Sequence, residues 1–312
     1  MLVATLIAAN ATSLSGDNMA ALTEDDYVQA ANALAAKGLI VTRCEWIDKG
    51  KALDICIDGQ SDSGQGAMQP RIAGALSSFT DRCDIAVQHA AHREKSLFLS
   101  DMDSTMIGQE CIDELADYAG VRDEITAITE RAMRGELDFA ASLRERVAKL
   151  ANLDEALVAE CLHQRVTPNA GAKTLLATLR AKNVHCLLVS GGFHHFADHI
   201  GADLGFHGVH ANRLDVKDGK LTGGLIPPLF GAQSKADILA QVAAAKDIDH
   251  ANSFAVGDGA NDLPMLALAG LSIGYHAKPV VNEAVDFPLR HNDLSAILYA
   301  LGIPSSEWQV TS

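Results

Sequence analysis

Positive charge is in short supply in this chain. Lysine and arginine number 25 against 40 aspartates and glutamates, a net charge of −15. A general nucleic-acid binder needs a cation surplus to meet phosphate backbones, so that class is excluded. A local pocket for a small anion is not, because a pocket can be positive on an acidic protein. No C-x-x-C occurs among the cysteines at 44, 56, 83, 111, 161 and 186, which removes a zinc knuckle and a thioredoxin-like pair. Scattered thiols in a chain of this length fit reduced, mostly buried side chains of a cytoplasmic protein. No apolar run reaches the ~18 residues of a membrane-crossing helix. The apolar start "MLVATLIAAN" is short and lacks a basic stretch, so it reads as a first strand and not as a leader. There is no internal repeat and no low-complexity tail.

What remains is an ordinary globular balance. The chain has 312 residues, 48% hydrophobic and 21% charged, enough for about two domains at ~100–200 residues each. Residues 1–90 read as β-α-β-β-α-β: strands at Leu2–Ala8, Leu39–Ile47, Ala52–Ile57 and Cys83–Gln88, and helices at Thr23–Ala36 and Met68–Phe79. That order predicts a small α+β, ferredoxin-like unit. A Ser/Gly-rich loop, "GQSDSGQG", precedes its second helix, and "HAAHREKS" reads as a polar, exposed linker.

After residue 95 strands alternate with helices, the α/β signature. Strand candidates are Leu97–Ser100, His185–Ser190, Ser253–Val256 and Leu271–Gly274. The stretch 110–165 is too long for one crossover and predicts a helical insertion over the mouth of the sheet. Within it Phe139, Leu143, Val147 and Leu150 share helical spacing behind the cap residue Asp138. Asn152 and Glu155 have the spacing of a capping box. "LDVKDGKLTGG" predicts a hairpin turning at Asp218–Gly219.

Ligands of open parallel sheets bind beyond the carboxyl ends of the strands. Three such ends carry polar residues here: Asp101 and Asp103 in "LFLSDMDST", Ser190 in "LLVSGGF", and Asp258 in "FAVGDGAND". Asp101, Asp103 and Asp258, with Asp262 as a further candidate, would repel one another unless a hard divalent cation joined them. Oxygen-only ligands of this kind suit Mg²⁺. A carboxylate beside the metal can attack phosphorus. A second carboxylate, its pKa raised by its neighbours, can move the protons. Asp101 takes the first role and Asp103 the second. Ser190, Gly191 and Gly192 offer a hydroxyl and backbone N–H groups to a phosphate. Lys235 stands at the start of a helix, where a cation is unfavourable. Pairing with a phosphate and Asp101 would account for it. Each pattern alone also occurs on ordinary turns; their order and their placement after strand-like runs carry the argument. His195 and His199 lie four apart, as in some zinc helices, but without the accompanying glutamate.

The chain resembles the haloacid dehalogenase superfamily of phosphatases, and within it the phosphoserine phosphatases, from about residue 95 to 295. The D-x-D-x-T motif stands at Asp101–Thr105, the Ser motif at Ser190, the Lys motif at Lys235, and G-D-x-x-x-D at Gly257, Asp258 and Asp262. The resemblance implies a Rossmann-like parallel sheet with a helical cap at about 110–170. It implies a phosphoric monoester hydrolase that uses Mg²⁺ to cleave phosphoserine, the last step of serine synthesis. It also implies that Glu110 holds the substrate's amino group and Arg146 its carboxylate. Met133 and Phe139 would wall the pocket, and Asn261 would orient Asp258 or the phosphate. A related phosphotransferase acting on homoserine, a phosphatase for another small monoester, and a catalytically silent amino-acid sensor remain as alternatives. The N-terminal unit resembles the ACT domain. Its loop after the first strand, "ANATSLSGDNMAALTEDD", lacks the D-x-P-G wording, so the unit reads equally as an amino-acid sensor or as a module for homodimerisation.

Overall fold

A computed structural model of the chain describes residues 1–10, 21–58, 65–133 and 136–309, without the side chains of 65–67 and 133. Residues 11–20 of the loop after the first strand, most of the Ser/Gly-rich loop and the Met133 side chain lie outside the described residues. Among the described residues no helix is long and apolar enough to cross a membrane.

The chain builds two sheets. The first contains β1 (Leu2–Ala8), β2 (Val41–Asp48), β3 (Ala52–Ile57) and β4 (Cys83–His89) in the order β2-β3-β1-β4. All its pairings are antiparallel. Helices α1 (Glu24–Ala36) and α2 (Gln65–Ala75) cover one face. Leu2, Ala4 and Leu6 pack there with Leu53, Ile55 and Ile57. Thr23 closes a capping box with Asp26 at the start of α1, which fixes that helix by satisfying free N–H groups. Every residue of β1 and β3 is buried. A sheet covered on one face alternates buried and exposed positions, so continuous burial means that the second face is covered too. Ile7, Ala52 and Ala86 indeed join the core of the larger unit.

That contact corrects the expectation of an exposed linker. Arg93 pairs with Asp54, receives support from Thr5 Oγ1, and donates to the carbonyls of Tyr299 and Ala300 at 3.1 Å each. These carbonyls belong to the last turn of a helix, where carbonyls are short of intrahelical donors. Lys95 is 6% exposed and donates to the Ala251 carbonyl at 2.7 Å. Asp84, 1% exposed, accepts from the N–H groups of Arg290 and His291 and from Asn292 Nδ2. The stretch between the sheets is polar because it is hydrogen-bonded across a buried junction.

The second sheet has seven strands. They are β5 (Leu97–Ser100), β6 (His185–Phe193), β7 (Gly208–Lys217), β8 (Lys220–Ile226), β9 (Ser253–Gly257), β10 (Ser272–Tyr275) and β11 (Phe287–Leu289), ordered β11-β10-β9-β5-β6-β7-β8. Only β7–β8 is antiparallel, the hairpin expected at Asp218–Gly219. Between β5 and β6 lie the helical insertion, α3 (Cys111–Ala119), α4 (Arg122–Met133), α5 (Phe139–Lys149) and α6 (Glu155–Arg165), and then the crossover helix α7 (Ala172–Ala181). The remaining helices are α8 (His194–Leu204), α9 (Ala232–Ala245), α10 (Leu263–Leu268), α11 (Pro279–Asn282) and α12 (Ala296–Ala300). Asp138 caps α5 by accepting from Ala141 N at 2.7 Å. Leu143, Val147 and Leu150 are buried as their spacing predicts. One expectation is corrected here. Asn152 does not cap α6: it takes φ +70° and donates its N–H to Leu221 O on β8, turning the chain before α6. Phe139, the first residue of α5, is 38% exposed and lines the cavity at the mouth of the sheet.

Candidate active site

The strand order explains why the polar strand ends converge. β5 lies between β9 and β6, in register with both. The chain leaving β5 at Asp101 is therefore flanked by Asp258 after β9 and by Ser190–Gly192 at the end of β6. The β6–β7 register breaks between Val189 and Phe193, lifting the Ser-Gly-Gly segment out of the ladder. A cavity of about 660 Å³ opens above these ends, lined among others by Asp101, Asp103, Glu110, Arg146, Gly191 and Asn261.

At its floor Lys235, on the first turn of α9, is fully buried. Its Nζ lies 2.7 Å from Asp101 Oδ1 and 2.7 Å from Asp262 Oδ1. Burial works against the ammonium, but the two carboxylates outweigh it and hold its pKa above the ordinary lysine value. Asp262 spends its other oxygen on Gly259 N at 3.1 Å. Gly257 permits this tuck, since a Cβ there would come within 2.4 Å of Asp262 Cγ. Met102 N also donates to Asp101 Oδ1 at 2.8 Å, and Oδ2 of Asp101 has no partner among the described residues.

Asp101, Asp258 and Asp262 form an acidic cluster whose facing oxygens lie within 4.8 Å of one another. Burial, reinforced by Asp262, drives the Asp101 carboxyl well above the usual range. Burial pushes Asp258 to about 6 against the pull of Lys278. Lys235 serves Asp101 and Asp262, and Lys278 stands 3.8 Å from Asp258; three carboxylates against two lysines, with oxygen-only donors, are what a hard divalent cation fits. The Asp103 side chain stands apart from this cluster. It accepts from Cys111 N at 3.3 Å and faces Gly192, where a Cβ would lie 2.8 Å from its Oδ2. Burial and the nearby Glu110 push its pKa up to about 7. The clustered side-chain oxygens are those of Asp101, Asp258 and the further candidate Asp262, while the Asp103 side chain turns toward the β6 loop.

The Ser190 hydroxyl is buried and accepts from Gly192 N at 2.9 Å, so its own proton is unspent. Asn212 staples this loop to the entry of α9: its Nδ2 donates to Gly191 O and Phe230 O, and its Oδ1 accepts from Phe230 N. The sequence offered no signal for Asn212, one of several polar residues on β7. Phe139 lies over Gly191, a Cβ there meeting its ring at 3.4 Å.

The cap supplies the rest of the wall. Arg146 is held only by its Nε donating to Ser142 O at 3.4 Å, and no carboxylate lies in ion-pair range among the described residues. Burial lowers its pKa, opposed by the charges of Asp113, Glu110 and Asp103. Glu110 precedes α3 and accepts from Ser104 Oγ at 2.8 Å. Of the histidines after the Ser-Gly-Gly loop, His195 pairs with Glu155 at 3.3 Å and His199 lies edge-on to His163; among the described residues neither belongs to a group of three metal-ligating side chains.

Comparison with known proteins places this arrangement. The model of the haloacid dehalogenase-like hydrolase family matches residues 98–267. The chain is 35% identical to the phosphoserine phosphatase of Saccharomyces cerevisiae, over 94% of this chain and 95% of that one. It spans 56% and 62% of the length of two longer relatives. The crystal structure of a probable phosphoserine phosphatase from Vibrio cholerae superposes with a TM-score of 0.72 at 30% identity, covering 98% of this chain and 87% of that chain. A phospho-aspartyl intermediate analogue of phosphoserine phosphatase superposes with a TM-score of 0.62 at 41% identity, covering 66% of this chain and 98% of that chain. The chain belongs to the haloacid dehalogenase-like hydrolases, and within that family its relatives at this identity are phosphoserine phosphatases.

Proposed function

We propose that this enzyme hydrolyses O-phospho-L-serine to L-serine and phosphate, with Mg²⁺ as cofactor and an aspartyl-phosphate intermediate on Asp101, as the final step of serine formation. One observation carries the substrate assignment. One cavity is lined by Asp101, Glu110 and Arg146, and the half-buried Arg146 guanidinium has no carboxylate partner among the described residues. A substrate carboxylate would supply that partner through a bidentate, charge-assisted pair. Glu110 would meet the ammonium group. The phosphate would then lie against Ser190, the backbone N–H of Gly191, Lys235 and, by giving up its bond to Ser190 Oγ, the N–H of Gly192, with Asn261 at its edge and Phe139 beside the serine moiety.

Asp101, Asp258 and Asp262 would hold the metal, whose charge would neutralise the crowded carboxylates and screen the incoming phosphate. Asp101 is oriented by Lys235 and Met102 N through Oδ1, leaving Oδ2 to attack phosphorus. A new O–P bond forms and the serine ester P–O bond breaks. Asp103, half protonated near neutral pH, gives its proton to the departing serine oxygen. In the second half Asp103 takes a proton from water, which attacks the acyl phosphate and returns Asp101 and inorganic phosphate. The work is positioning and charge stabilisation, as phosphoryl transfer requires. A phosphate-release screen over small phosphomonoesters, with and without Mg²⁺ and with homoserine as a competing acceptor, tests the reading. Phosphoserine should lead and homoserine should capture nothing.

A further inference from the structure

Glu110 is held in a way that its place in the fold does not call for. It is the residue before α3, and its side chain makes no cap to the free N–H groups of the helix. Among the described residues its one side-chain partner is the Ser104 hydroxyl, which donates to Oε1 at 2.8 Å and leaves Oε2 open. Both residues line the cavity. Ser104 reaches this position through an uncommon backbone, φ +54°, a left-handed conformation that costs a non-glycine residue energy and gathers at functional sites. The loop around it is stitched on both sides. Ser104 N donates to Gln109 O, and the Gln109 side chain exchanges two hydrogen bonds with Thr167. The surroundings thus impose the strained backbone, and the strained backbone delivers one hydroxyl to one carboxylate oxygen.

We propose that Ser104 is a positioning residue for substrate choice: it turns the Glu110 carboxylate away from its helix and fixes it to receive the ammonium group of an α-amino acid phosphate. The proposal rests on the phosphoserine reading above. A carboxylate that swings freely loses orientation entropy on meeting the ammonium, whereas one already held by a hydroxyl presents a fixed acceptor. Ser104 itself need not touch the substrate.

The test compares O-phosphoserine with 3-phosphooxypropionate, the same ester with hydrogen in place of the amino group. Wild type, Ser104→Ala, Ser104→Gly, Glu110→Ala and the double variant S104A/E110A are assayed on both. Ser104→Ala should raise KM for phosphoserine about tenfold, the scale of one hydrogen bond to a charged group, with kcat and the amino-less ester changed less than about twofold. Ser104→Gly relaxes the backbone and should show the same loss, which assigns the effect to the hydroxyl. In the double variant the Ser104 change should add nothing to Glu110→Ala. Equal KM increases on the two esters, a loss confined to kcat, or full additivity with Glu110→Ala would overturn the proposal. Failure of the underlying reading looks different. Wild type would then not prefer phosphoserine, or Glu110→Ala would leave the preference intact, and the Ser104 role would fall with it.

Discussion

Lys235 Nζ lies 2.7 Å from Asp101 Oδ1, and the two side chains are 1% and 6% exposed. The pair ties the first turn of α9 to the end of the central strand. It also accounts for a lysine where the helix dipole disfavours one. Removing one member of a buried pair leaves the other uncompensated, at about 3–5 kcal/mol. Lys235→Ala should therefore lower stability by about that amount in urea melts at neutral pH and abolish turnover. A variant within about 1 kcal/mol of wild type would show that the pair is not a structural tie.

Asp101→Asn keeps the shape and removes the attacking charge. Turnover should fall to background while the fold is retained, because Lys235 keeps Asp262 as its charged partner. Substantial phosphate release by this variant would rule out a covalent route through Asp101.

Asp103→Asn should cost on the order of 10²–10⁴ in turnover, the range for acid–base groups. The loss should be smaller for an aryl phosphate, whose leaving group needs no proton. With the Asp103 pKa raised to about 7, single-turnover phosphorylation by phosphoserine should slow as pH rises above 7, and the following hydrolysis step should quicken. Equal losses on alkyl and aryl esters would count against the proton-donor role.

Metal removal should abolish activity, and Mg²⁺ should restore it where Ca²⁺ does not, because Ca²⁺ takes more ligands at longer distances. Stability follows the same charges. Asp101, Asp103 and Asp258 all have folded pKa values raised above the unfolded ones. The metal-free folded state therefore binds more protons than the unfolded state between about pH 4 and 7, and its stability falls as pH rises through that window. Urea midpoints in chelator should drop from pH 5 to pH 7.5, and Mg²⁺ should flatten the slope. An upward slope in chelator would refute the crowding of the carboxylates.

Asp84→Ala strips three donors of their acceptor at the junction of the two sheets. Buried donors left unsatisfied cost about 1–3 kcal/mol each, so the variant should lose a few kcal/mol in urea melts, with KM for phosphoserine unchanged. A shifted KM with little loss of stability would mean that the N-terminal unit shapes the site.

The chemistry was the most legible part of this chain. D-x-D after Leu97–Ser100 and Ser-Gly-Gly after a second apolar run are local patterns, and parallel-sheet geometry brings such strand ends together without further information. Lys235 was legible because it broke a helix rule. The misreadings share a cause: they depend on partners far along the chain. Arg93 looked solvated because its acceptors, Tyr299 and Ala300, lie about 200 residues away. Asn212 and Ser104 left no local signal, since one acts through Phe230 and the other through a backbone angle.

The central claim is that the unpaired guanidinium of Arg146 selects the substrate carboxylate. The most direct measurement compares kcat/KM of wild type and Arg146→Ala on O-phosphoserine and on phosphoethanolamine, which lacks only that carboxylate. The account predicts a loss on the order of 10² for phosphoserine, the scale of a charge-assisted pair, and a change within about threefold for phosphoethanolamine. Equal losses on both substrates would contradict it, and would assign Arg146 to the phosphate or to the fold.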